Sequence, residues 1–173
     1  LPATIRSRLQ HFALDRLSLD EAKDFVRSQQ LQLSDKQISL LLNLANNMPL
    51  TAIEIAQSAW VEQRSVFLND WFKLVSEKNM PLHYVNKWSK NLPFSDLMIM
   101  FEYLLGDIVA FKLNQELKNT DLNFQDLAAC YPLEILFEIY SELQNYKLLI
   151  SQNVQSALVL DQLFIKLMYV QLS

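Results

Sequence analysis

The residue types best suited to chemistry in this chain gather in its first ten positions, Leu1-Pro2-Ala3-Thr4-Ile5-Arg6-Ser7-Arg8-Leu9-Gln10, where two arginines flank a serine. A guanidinium is permanently charged and carries a rigid fork of donors, so it can neutralise charge developing on a transferred phosphoryl group. By residue type alone, Arg6 and Arg8 read better as ordinary surface charges than as phosphate-directed groups. Elsewhere the material for catalysis is thin. His11 and His83 are far apart in sequence, and neither has a Cys or His partner at metal-ligand spacing. Cys130 precedes Tyr131-Pro132 in an apolar context, with no positive environment to lower its pKa, and reads as a small packed thiol. Two carboxylate pairs occur, Asp20 with Glu21 and Glu134 with Glu138. The first is explained by the dipole of a helix N-terminus, and the second is an i, i+4 pair on a solvated face. No G-x-x-x-x-G-K-[ST] phosphate loop is present. Trp60, Trp71 and Trp88, with Tyr84 and Phe94, lack interleaved basic residues and read as packing, not base stacking.

The elements that position these residues are helices. The chain of 173 residues is 51% hydrophobic and 20% charged, and it contains one glycine. That composition supports a buried core. It argues against strands, whose tight turns draw on glycine. A net charge of −4 argues against a dedicated nucleic-acid surface, which needs clustered Lys and Arg. The single cysteine rules out an internal disulfide and suits a reducing cytoplasm. The most apolar run, 97–113, contains Glu102 and Asp107, too polar for an ordinary membrane span.

Ser18-Leu19-Asp20-Glu21 and Ser34-Asp35-Lys36-Gln37 have the form of capping boxes. They predict helices over about 19–30, with Ala22, Phe25 and Val26 inward, and from about 35, with Ile38, Leu41, Leu42 and Ala45 inward. Asn46-Asn47 ends the second helix, and Pro49 opens a third over about 49–58. Longer helices follow at about 61–78 (Val66, Phe67, Trp71, Leu74) and 81–91 (Tyr84, Val85, Trp88). The next expected helix is 95–117, capped near Ser95. A short one follows near 124–130, and then 133–151 and 154–172. The expected fold is all-α, a small three-helix unit followed by a larger helical bundle.

Thr4-Ile5-Arg6-Ser7-Arg8-Leu9-Gln10, then Leu19-Asp20-Glu21-Ala22, then Leu44-Ala45-Asn46-Asn47-Met48-Pro49-Leu50-Thr51-Ala52, and finally Asn153, Leu158, Leu160, Leu163 and Leu167 form an ordered set. In this order the chain resembles the delta-prime subunits of bacterial DNA polymerase III clamp loaders, from the end of their ATPase-like domain onward. The resemblance implies that 1–10 closes an ATPase-like domain, so that the chain is the C-terminal part of a larger cytoplasmic protein. It implies that 11–60 is a three-helix lid and 61–173 a helical collar. Arg8 then matches the family's trans-acting arginine, with Ser7 fixing the turn. Partners would be the clamp-loader ATPase subunit and the delta subunit. The sliding clamp and primed DNA would be engaged only by the whole assembly.

On the same resemblance the chain is non-catalytic and needs no cofactor, although the parent holoenzyme is a DNA-directed DNA polymerase. Leu9 stands where the family usually has Cys. Leu50 stands where active ATPase subunits carry a nucleotide-sensing Arg, and leucine makes no charge-assisted phosphate bonds. The apolar excess of the last helix makes Leu158, Leu160, Leu163, Phe164 and Leu167 candidates for an intersubunit surface. A free-standing helical adaptor that binds partner helices is the alternative.

Overall fold

The computed structural model describes residues 17–29, 31–78, 80–151 and 155–169. All the regular structure among them is helical: α1 Leu19–Ser28, α2 Asp35–Leu44, α3 Pro49–Gln57, α4 Trp60–Ser76, α5 Pro81–Asn91, α6 Phe94–Lys112, α7 Gln125–Ala129, α8 Leu133–Ser151 and α9 Ser156–Tyr169. No helix among the described residues is long and apolar enough to cross a membrane.

Local chemistry sets the first three helices. Both capping boxes form, Ser18 with Glu21 and Ser34 with Gln37, each satisfying two amides that the helix start would leave open. Asn46 (φ 52°) and Asn47 (φ 61°) take left-handed backbone after α2. The Asn47 amide reaches the Leu42 carbonyl at 2.8 Å, and the Asn46 amide reaches that of Asn43 at 3.2 Å. Those two bonds are the Schellman pattern, with asparagine where glycine is commoner. Pro49 then sits in the first turn of α3, where its missing amide costs nothing. The three helices pack on one another. Their shared interior is aliphatic: Ala22, Val26, Ile38, Leu41, Leu42, Ala52 and Ile55. Phe25 is exposed and does not join that interior.

Two residues separate α3 from α4, and α4–α9 then pack together as a bundle. Helix α6 is central, set against α4, α7 and α8. The buried face of α4 includes Phe67, Trp71 and Leu74, at helical spacing. Val66, expected on that face, points outward. Phe67 lies at the middle of an aromatic cluster, with ring centroids 4.9 Å from Trp88, 5.8 Å from Phe101, 6.2 Å from Phe164 and 6.3 Å from Trp71. Trp71 stacks on Phe101 at 4.6 Å. Such contacts add to the burial of large rings.

Helix α6 departs from expectation at both ends. It starts at Phe94 after Pro93, without a side-chain cap, so Ser95 is not its cap. It stops at Lys112, because Asn114 (φ 53°) turns the chain. The Gln115 amide then bonds the Ala110 carbonyl at 2.8 Å and the Asn114 amide that of Phe111 at 3.2 Å, a second asparagine-centred Schellman turn. The freed residues form a loop, 113–124, that runs back toward α2.

Candidate functional site

Arg6, Ser7, Arg8, His11 and Asn153 lie outside the described residues. Of the sites expected from the sequence, the described residues include the last helix and the start of α3. Helix α9 packs on α5, α4 and α8. Its residues Leu160, Leu163, Phe164 and Leu167 follow the i, i+3, i+4, i+7 rule and are all buried inside the chain's own core. The expectation that they face a partner is therefore corrected. The apolar excess of α9 reflects a helix wedged among three others. Leu158 alone of the five candidates is outward, 53% exposed, and Ile165, one heptad on, is 43% exposed. Ile99 on α6 and Phe137 and Tyr140 on α8 are also outward apolar residues of the bundle.

The first turn of α3 shows Leu50 on the surface, 67% exposed. It sits immediately after Pro49, on the turn that the paired asparagines create. A larger feature lies beside this unit. A cleft of about 1170 Å³ opens between α1, α2 and the loop after α6, lined among others by Lys23, Lys36, Asn43, Glu116, Leu117 and Asp121. Its charges are mixed in sign.

Three polar side chains to which the sequence analysis assigns no site role, one each on α2, α4 and α6, hold that loop. On α6, Asp107 is buried. One of its oxygens accepts the Lys118 amide at 2.8 Å, and the other accepts the Asn119 amide and side-chain amide, both at 2.7 Å. On α4, Arg64 is buried and donates to the Val61 carbonyl at 2.7 Å, to the Asn119 carboxamide oxygen, and through both terminal nitrogens to Asp121 at 3.0 and 3.2 Å. On α2, the Asn43 amide donates to the carbonyls of Leu117 and Lys118, both at 2.9 Å. Every buried side-chain polar atom among the described residues has a partner. Burial of a charge is tolerated only under that condition. The signal available in the sequence was Asp107 itself, which with Glu102 is a carboxylate within the most apolar run of the chain.

Several further titratable groups among the described residues are engaged in structural contacts. Partial burial works against the charge on Glu102, but hydrogen bonds and attraction from Lys147, with help from Gln144 and Tyr140, outweigh it. They hold the carboxyl below the usual carboxylate range. Glu138 and Glu142 on α8 pair with Lys166 on α9 at 3.7 and 2.7 Å. The hydrogen bond to Glu142 is the main cause that raises the Lys166 pKa. Burial and the Glu142 carboxylate push Tyr146 up to about 12. Burial, with a smaller contribution from Asp126, raises the Cys130 thiol and so disfavours the nucleophilic thiolate. Glu21 is committed to its cap. Asp70 accepts the Trp88 indole at 3.0 Å and Lys87 at 2.5 Å, and the Tyr131 hydroxyl joins Trp71 to the Leu167 carbonyl at 2.8 Å each. Among the described residues no group of three or more His, Cys, Asp or Glu could hold a metal ion.

No protein-family model matches the chain, and no curated protein or solved structure was found to be significantly similar to it.

Proposed function

We propose that the chain is the non-catalytic lid and collar part of a delta-prime clamp-loader subunit, a component that assembles with its neighbours. In this reading 11–60 is the lid and 61–173 the collar. The partners are the ATPase subunit and the delta subunit, in the cytoplasm. The sliding clamp and primed DNA are reached only through the whole ring. The observation that carries the reading is Leu50, displayed on the surface in the first turn of α3. On the resemblance, that position corresponds to the one at which an active clamp-loader ATPase subunit carries its nucleotide-sensing arginine. A leucine there makes no phosphate contact, as suits a subunit that does not hydrolyse ATP. The ordered resemblance from Thr4 to Leu167 supports the same reading. Ile99, Phe137, Leu158 and Ile165 are individually outward apolar positions on three helices of the bundle, compatible with cover by a partner.

Arg8 is then the trans-acting arginine that serves a neighbour's ATP site, supported by Ser7. In the intact protein Arg8→Ala slows ATP turnover of the assembled loader by roughly a thousandfold at the site it serves, the lower range for such arginines. Assembly itself is unaffected. Unchanged turnover in a saturated complex removes Arg8 from the mechanism. The outward apolar residues also suit a free-standing helical adaptor. Binding to isolated partner helices, with none to clamp-loader subunits, would favour that second reading.

A further inference from the structure

Asn43 and Asp107 share no hydrogen bond, yet they grip the same two peptide groups, one at the carbonyls and the other at the amides. The Asn43 amide forks to the carbonyls of Leu117 and Lys118. The Asp107 carboxylate forks to the amides of Lys118 and Asn119. The peptide joining Leu117 to Lys118 and the peptide joining Lys118 to Asn119 thus each run from one grip to the other. Donation to an ionised acceptor is stronger than donation to a neutral one. It also polarises the peptide, so that its carbonyl becomes a better acceptor. The buried carboxylate of α6 therefore strengthens the bonds that hold α2.

We infer that this relay, Asp107 through two loop peptides to Asn43, is a latch that sets the orientation of the three-helix unit on the bundle. The covalent link between the two regions is only Ser58-Ala59. The buried apolar residues are continuous from one region to the other, but apolar contact is non-directional. The forked hydrogen bonds supply direction. Arg64 locks the far end of the loop through Asn119 and Asp121, so the carbonyls offered to Asn43 are fixed in place. The large cleft lies alongside the latch and is lined by Asn43 and Leu117, so its width is set by whether the latch is made.

The test is the distance distribution between two spin labels in the 173-residue chain, at Glu54→Cys on α3 and Lys90→Cys on α5, with Cys130→Ser. Loss of two neutral hydrogen bonds should lower the latched-to-open ratio by roughly tenfold. Asn43→Ala is expected to broaden the distribution or add a second distance, with the helical circular dichroism unchanged. Asp107→Asn, which removes the charge and turns one of the two acceptor oxygens into a donor, is expected to broaden it in the same sense. The double variant should be no broader than Asn43→Ala alone, because both changes act on one relay. An unaltered distribution in folded Asn43→Ala overturns the latch. Additive broadening in the double variant overturns the relay.

Discussion

The three-helix unit and the bundle solve the same problem by different means. Helices α1–α3 are defined by neighbours in sequence. Two capping boxes, a proline start and a paired-asparagine stop are all written within four or five residues of where they act. Their core is aliphatic, and their ion pairs, Arg27 with Asp24 and Asp35, lie on the surface, where such pairs add little. In the bundle, side chains distant in sequence hold one another. Arg64 finds Asn119, Trp71 finds Tyr131, and Tyr131 finds the Leu167 carbonyl. Aromatic rings fill the interior, and buried polar atoms are paired within it. The difference teaches that one region is specified locally and the other by long-range complementarity. Damage to the first should remain local, and damage to the second should spread.

The sharpest way to break that comparison is on α9, where neighbouring positions should behave oppositely. Leu163→Asp places a carboxylate in the dry interior and is expected to cost more than about 4 kcal/mol, unfolding the whole bundle. Ile165→Asp, on the outward side of the same helix, is expected to change folding stability by no more than about 0.5 kcal/mol while weakening assembly with partner subunits. Urea denaturation followed by tryptophan emission reads the first effect, since Trp60, Trp71 and Trp88 are all in the bundle. Equal stability of the two variants would contradict the placement of α9. A smaller effect is expected at Ser34. Ser34→Ala removes a capping oxygen and should cost about 1 kcal/mol. Faster amide exchange should be confined to α1–α3, and exchange spreading through α4–α9 would show that the two regions are not separately specified.

The smallest effect concerns pH. Because the folded Glu102 pKa is lowered, its pairing with Lys147 contributes stability above the ordinary carboxylate range, and that contribution is lost as pH falls through the folded value. Glu102→Gln should flatten part of the acid limb of the stability curve and leave the neutral limb parallel. An unchanged acid limb would show that Lys147 does not stabilise the ionised form.

The same contrast explains what could be read in advance. The all-α fold was legible from one glycine and strong helical periodicity. The start of α1 and both ends of α2 were legible from Ser18, Ser34 and Asn46-Asn47, whose chemistry acts within a turn. Asn114 ends α6 in the same way as Asn46 ends α2, but it follows a long apolar run that masked it. Leu160, Leu163, Phe164 and Leu167 carried the right periodicity. What they pack against is a property of α4, α5 and α8, and periodicity does not name a partner. The latch was invisible for the same reason, since Asn43 and Lys118 meet only once the bundle is built.

The function proposed for this chain is assembly with clamp-loader subunits. It is tested most directly by light-scattering mass after mixing the chain with the ATPase subunit, with and without the delta subunit. A hetero-complex of defined mass is the predicted result. A folded chain that stays monomeric beside both partners at high micromolar concentration would contradict it.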